Sequence, residues 1–222
     1  MFIGLGIIGL GSVGLHGSLH WIYQSSDEVP MLWLSLVMLY SFWNINSKDE
    51  VAGSSMAFTV FGIVQTYVYY RYQHIYAAFL VSFITCLAGI VFWGLYLVLE
   101  SRWASLKDPR NVHYAQNYEI RLKIWGLSYI YYVLVGSSLW IFELNNCAAL
   151  LPYFQSAYGL SFHVLWHLGA GMGTYMAIMN LIICRLQFLE KEFSVVWILG
   201  LLPVLYLEPP HPIHKDLLNK EE

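Results

Sequence analysis

Leu160–Cys184, LSFHVLWHLGAGMGTYMAIMNLIIC, contains no Asp, Glu, Lys or Arg. A helix needs about 20 predominantly apolar residues to cross the hydrocarbon core of a bilayer, so this run reads as a membrane span. It nevertheless carries two imidazoles. His163 and His167 are four residues apart, which puts both on one helix face. An unpaired imidazole in hydrocarbon costs free energy, so such residues face a protein interior or a water-filled cavity and mark an ion or substrate pathway. A bound metal would supply the missing partner. The plainer reading is two core histidines hydrogen-bonded to nearby hydroxyls or carbonyls, and a third candidate ligand tells against it.

The same apolar signature recurs along the chain. Of 222 residues, 58% are hydrophobic and 11% charged, and the mean hydropathy is +0.55, too little polar surface for a soluble globule. Apolar runs lie at 1–20, 30–46, 52–70, 75–99, 124–143 and 160–184. The expected fold is an all-α, multi-pass membrane helix bundle of about six transmembrane helices, with one transmembrane domain over 1–208 and a cytosolic tail over 209–222. Val195–Leu207 is short and broken by Pro203, so it reads as an interfacial or re-entrant segment. Glu100–Arg121 reads as a polar loop. No Lys or Arg precedes Lys48, so the first run lacks the basic region of a secretory signal and is read as a retained helix.

If the spans alternate, ten basic residues fall on one side: Lys48, Arg102, Lys107, Arg110, Arg121, Lys123, Arg185, Lys191, Lys215 and Lys220, with Arg71 alone opposite. The positive-inside rule makes that side and the C-terminus cytosolic, and the 21–29 and 144–159 loops lumenal or extracellular. A net charge of −3 gives no reason to expect nucleic acid as a partner. Cys86 and Cys184 fall within spans as small core residues. Cys147 falls in an expected lumenal loop with no second lumenal cysteine to pair with.

The first run ends in GLGSVGLHGSLHW (9–21), and SSDEVPM (25–31) opens the second. Ser12 and His16 share a face, and Asp27 ahead of Pro30 suits the first turn of the second helix. By topology, His16, Asp27, His163 and His167 reach one membrane depth, toward the lumenal side. Three histidine ligands leave a fourth tetrahedral position for water, the arrangement of a catalytic zinc. Asp27 is the candidate to relay a proton and Ser12 to steady an oxyanion. Ligand type alone leaves copper and iron open.

The competing readings make Ser12 a packing hydroxyl, Asp27 a helix cap and His20 either an alternative ligand or an interface residue. His74, His113, His211 and His214 read as solvated loop residues. GLGSVG matches a dinucleotide-binding pattern but lies inside a span, so Gly9, Gly11 and Gly14 are read as sites of close helix approach, like Gly169 and Gly173.

GLGSVGLHGSLHWIYQSSDEVPM (9–31), LWIFELNNC (139–147) and FHVLWHLGAGMGTY (162–175), with a weaker echo in WILGLLPVLYLEP (197–209), resemble in order and spacing the corresponding blocks of the alkaline ceramidase family. That resemblance implies a seven-helix, zinc-dependent membrane amidohydrolase. The active site would comprise Ser12, His16, Asp27, His163 and His167, cleaving ceramide to sphingosine and a fatty acid in the endoplasmic reticulum or Golgi membrane. Expected partners are the sphingolipid substrate and membrane lipid, with no protein partner indicated.

The nearest competitor is the adiponectin and progestin receptor family, whose zinc site is similar; DEVPM and Trp166 between the two histidines favour the ceramidases. Family members also carry an acidic, calcium-binding N-terminal segment and a further first helix, neither of which precedes Met1 here. The six spans would then match family helices two to seven, and no calcium site is expected. Cys147 matches a loop cysteine whose family partner lies in that segment. This chain is expected to be less stable and less active than a version carrying the extra helix.

Overall fold

The computed structural model of the protein describes residues 1–18, 21–72, 75–107, 112–156 and 162–207. The described residues form six helical rods and one hairpin. The helices are α1 (Phe2–Ser18), α2 (Trp21–Trp43), α3 (Ser54–Arg71), α4 (Tyr76–Lys107), α5 (Val112–Tyr129), α6 (Ser138–Ser156) and α7 (Phe162–Phe188). A π-helical segment, Ile130–Ser137, fuses α5 and α6 into one rod. Strands β1 (Phe193–Ile198) and β2 (Leu202–Leu207) follow. Each rod contains one of the six apolar runs, because a helix satisfies its own backbone groups where water is absent. By length and composition, Ala77–Trp103, Tyr118–Leu150 and Phe162–Phe188 can cross a membrane, and Phe2–His16 is a shorter apolar helix. Large side chains such as Ile3, Leu10, Met56 and Ile63 point outward and exposed, as on helices solvated by lipid. The chain is a multi-pass membrane protein.

The helices outrun the apolar runs. Residues 21–29, expected as loop, are the first turns of α2. The expected loop Glu100–Arg121 is helical to Lys107 and again from Val112, and α6 continues to Ser156 with a kink at Asn146 (φ −124°). Hydropathy marks where lipid begins, whereas a helix stops only where its backbone bonding is interrupted. His20, His74, His211, His214 and the 209–222 tail lie outside the described residues.

The expected all-α membrane bundle is what the chain forms; Val195–Leu207 departs further from expectation. It lies within an antiparallel hairpin pairing Phe193 with Leu207 through Ile198 with Leu202. Leu199 and Gly200 both have positive φ, 51° and 71°, and the Leu201 N–H donates to the Ile198 carbonyl at 3.0 Å. Those are the features of a β-turn with both central residues at positive φ, set within the three-residue connection Leu199–Leu201 between the paired Ile198 and Leu202. Phe193, Val195, Trp197 and Leu205 pack on Ile124, Met176, Met179 and Ile183 of α5 and α7.

Within α2, Pro30 offers no N–H to the Ser26 carbonyl four residues back. Gly11 of α1 fills that gap: a Cβ there would lie 2.2 Å from Ser26 O and 2.9 Å from the Asp27 nitrogen. Gly169 does the same on α7, where a Cβ would lie 2.6 Å from Tyr131 O. Both support the expected close approach. Gly9 does not: nothing lies within 4 Å of its Cβ position, and it borders a cavity.

Beneath the cavity, α2, the turn after it, α4 and α7 contribute Phe42, Ile45, Leu97, Ile178 and Leu181 to one apolar cluster. Cys86 and Cys184 are buried, and Cys147 is exposed on α6 with a free thiol. The Arg185 guanidinium ties the end of α7 to that of α2, donating to the Asn44, Ile45 and Ser47 carbonyls. In the exposed α2–α3 connection, hydrogen bonds from Ser55 hold the Glu50 carboxyl below its ordinary pKa, a favourable place for a negative charge at the start of α3.

Candidate metal centre

α1 carries Ser12 and His16 on adjacent turns of one face; α7 carries His163 and His167 in the same relation. The two faces meet. His16 Nε2 lies 2.9 Å from His167 Nε2 and 3.2 Å from His163 Nε2. The rings pack edge-on, with centroids 4.7–5.0 Å apart. Ser12 Oγ stands 3.1 Å from His167 Nδ1 and 3.2 Å from its Nε2. One nitrogen of each imidazole lies within 4.8 Å of the others, so the convergence expected from topology is present.

The nitrogen set fits a metal. A neutral imidazole has one N–H and one lone pair, so a single His16 Nε2 facing two other ring nitrogens cannot satisfy both by hydrogen bonding. A cation shared by three lone pairs would. Imidazole ligands suit zinc, copper or iron, and a tetrahedral zinc with Zn–N of about 2.0–2.1 Å sets N···N edges of roughly 3.3 Å. The contacts of 2.9 and 3.2 Å are close to that spacing.

Asp27 is placed differently from expectation. It lies two turns into α2, not at its first turn, and the turn that carries it abuts Gly11, immediately before Ser12. Its side chain is 5% exposed, and Oδ1 has no hydrogen-bond partner among the described residues. An unmatched buried carboxylate oxygen is costly and leaves a lone pair free to receive a proton. Neighbouring Glu28 is engaged instead, accepting from Tyr69 at 2.7 Å and Gln24 at 3.1 Å.

One residue of the site was not singled out from the sequence. Glu143 on α6 accepts the His163 backbone N–H at 2.6 Å, capping the first turn of α7 where the helix dipole favours a carboxylate. The available signal was its position as an acidic residue at the end of an apolar run. Trp166 stacks on Trp140, centroids 5.4 Å apart, and meets Tyr132 edge-on, packing the same turns of α7 against the α5–α6 rod.

The histidines open onto a cavity of about 1000 Å³, walled by α1, α2, α4, α5, the π-helical segment and α7 and lined mainly by apolar side chains. A pocket of this size with a few convergent polar groups at one end is the form of a site for a largely apolar small molecule.

Comparison with known proteins bears on which molecule. The chain is 27% identical over 207 residues to an alkaline ceramidase of Arabidopsis thaliana, covering 92% of this chain and 72% of that one. It is 21% identical over 215 residues to alkaline ceramidase 3 of Mus musculus, covering 94% and 74%. No solved structure matches. The family model described as Ceramidase matches residues 1–206, a stretch that holds all three convergent histidines, Ser12, Asp27 and the whole cavity wall, and the chain therefore belongs to the ceramidase family of amide-bond hydrolases.

Proposed function

We propose that this protein hydrolyses the amide bond of ceramide within the membrane, releasing sphingosine and a free fatty acid, with His16, His163 and His167 holding a zinc ion. The observation that carries the reading is the convergence of three imidazoles at the head of an apolar cavity in a chain of this family. A zinc ion held by these three histidines would supply Lewis-acid polarisation and lower the pKa of a bound water. The remaining work falls to the chain. Ser12 donates a hydrogen bond to the amide oxygen as negative charge develops there. Asp27 takes the proton released as water adds to the carbonyl carbon and returns it to the departing amine, one carboxylate acting as base and then as acid. The apolar walls keep bulk water away and hold the aliphatic chains.

The sidedness of the basic residues supports a lumenal site and a cytosolic C-terminus in an endoplasmic reticulum or Golgi membrane. Metal analysis of the purified protein, paired with mass-spectrometric measurement of ceramide cleavage in detergent, tests the reading. The expected result is about one zinc per chain together with fatty-acid release that a chelator abolishes. Stoichiometric zinc without turnover of any ceramide would overturn the enzymatic reading and leave a metal-binding membrane receptor.

A further inference from the structure

The cavity has a definite floor. Its walls descend from His163 along α7 to Ala177, fourteen residues or about 21 Å along the helix. At that level four other helices supply Leu5 of α1, Met38 of α2, Ile90 of α4 and Trp125 of α5. Trp125 closes the shaft. The tip of its indole is seated on Gly94 of α4, where a Cβ would lie 2.4 Å from the ring, so the absence of a side chain there is what lets the ring reach across to α4. Beneath it lie Phe42, Ile45, Leu97 and Leu181, packed and buried.

The shaft is lined mainly by apolar side chains, with Tyr129, Tyr132 and Thr174 also contributing to its wall. Ser128 in its wall donates to the Gly173 carbonyl at 2.8 Å and Ser35 to the Met31 carbonyl at 2.9 Å, so neither hydroxyl needs a ligand partner. A hydrocarbon chain suits such walls, and a hydroxylated one does not.

Resting on the proposed amidase function, we infer that this shaft takes the acyl chain of the substrate and that Trp125 sets the longest chain accommodated. The acyl chain is bare hydrocarbon from the carbonyl carbon onward, whereas the sphingoid base carries hydroxyls close to the nitrogen and fits the polar mouth. Tetrahedral carbon at 1.52 Å bonds advances about 1.25 Å per carbon, so the ~15 Å from His167 to Ala177 holds on the order of twelve methylenes before the indole is reached. Each buried methylene favours binding by up to about fourfold, and any beyond the floor must bend or clash.

The test is a ladder of ceramides differing only in acyl length, with fatty-acid release by the full chain in detergent expressed as kcat/KM for each. Wild type should rise with length and then fall. Trp125→Ala should move the maximum to longer chains, raising the long-to-short ratio by roughly tenfold or more; Ala177→Leu, which raises the floor from α7, should move it to shorter ones. A second ladder varying only the sphingoid base should show no shift in either variant. Should Trp125→Ala fail to fold, the Ala177→Leu profile decides. Measurable turnover with acyl profiles parallel to wild type, or a shift in the base ladder instead, overturns the inference while leaving the amidase reading intact; absence of turnover by wild type on every ceramide sinks both.

Discussion

α7 carries two polar clusters, one near each end, and they are built on opposite principles. Toward its start, His163 and His167 join His16 in a set of ring nitrogens open to a cavity. Toward its end, Asn180 and Gln187 turn their oxygens to the Arg121 guanidinium, which donates from Nε at 3.4 Å and from Nη1 at 3.1 Å. Arginine has donors only, so both amides must present oxygen to it. Arg121 Nη2, Asn180 Nδ2 and Gln187 Nε2 are left buried without partners among the described residues. One cluster therefore has lone pairs to spare and an open door, while the other has donors to spare and is closed, with Arg121 4% and Asn180 0% exposed. Polarity inside a membrane bundle does not by itself mark a reaction centre; the sign of the imbalance and its access decide. The closed cluster joins helices, as polar side chains do across membrane interfaces.

The contrast is broken most severely at the histidines. His16→Ala, His163→Ala or His167→Ala should each reduce bound zinc from about one per chain to a trace, because two ligands do not retain a catalytic zinc. Ceramide hydrolysis should fall to background, as read by metal analysis and fatty-acid release. Full zinc in any of the three would remove that residue from the ligand set.

Asp27→Asn comes next. It should keep the metal and lose about 10²–10⁴-fold in rate, since the amide cannot accept the proton, and near-normal turnover would take Asp27 out of the mechanism. Gly11→Ala places a methyl 2.2 Å from Ser26 O and should cost about 1–3 kcal/mol, read as earlier thermal unfolding in detergent with activity falling in parallel. Arg121→Leu is the mildest. It should lower stability by about 1–2 kcal/mol and leave zinc content unchanged, and loss of metal there would erase the distinction between the two ends.

The spans were legible because each contains a run too apolar to lie elsewhere, and the histidine pair was legible because four-residue spacing survives in any helix. Helix ends were less so. Residues 21–29 are polar enough to read as loop, yet they extend α2, and Asp27 moved with them from the first turn to the end of the second. Glu143 was hidden because a lone carboxylate at a span end reads as an interface residue until the start of α7 is placed beside it. Val195–Leu207 was misleading for a different reason: a short apolar run with Pro203 suits a broken helix as well as a strand, and Leu199–Gly200 lacks the Asn-Gly signature of its turn. The cavity floor was out of reach from sequence, since Gly94 and Trp125 are thirty-one positions apart and meet only once α4 and α5 pack.

The π-helical segment Ile130–Ser137 has a consequence for how this rod tolerates change in length. Its bonds skip one residue further than those of an α-helix: the Ser138 N–H reaches the Val133 carbonyl, and the Ser137 and Ser138 hydroxyls also reach five residues back. Along an α-helix each residue adds about 100° of rotation, so the segment acts as a phase shifter between α5 and α6. α5 is timed to Asn180, and α6 is timed separately to the His163 amide. Deleting one residue from the segment would swing α6 by about 100° and carry Glu143 off α7 while the lower half of the rod kept its place. The angular setting of the capping carboxylate is thus held independently of the grip that keeps the rod in the bundle.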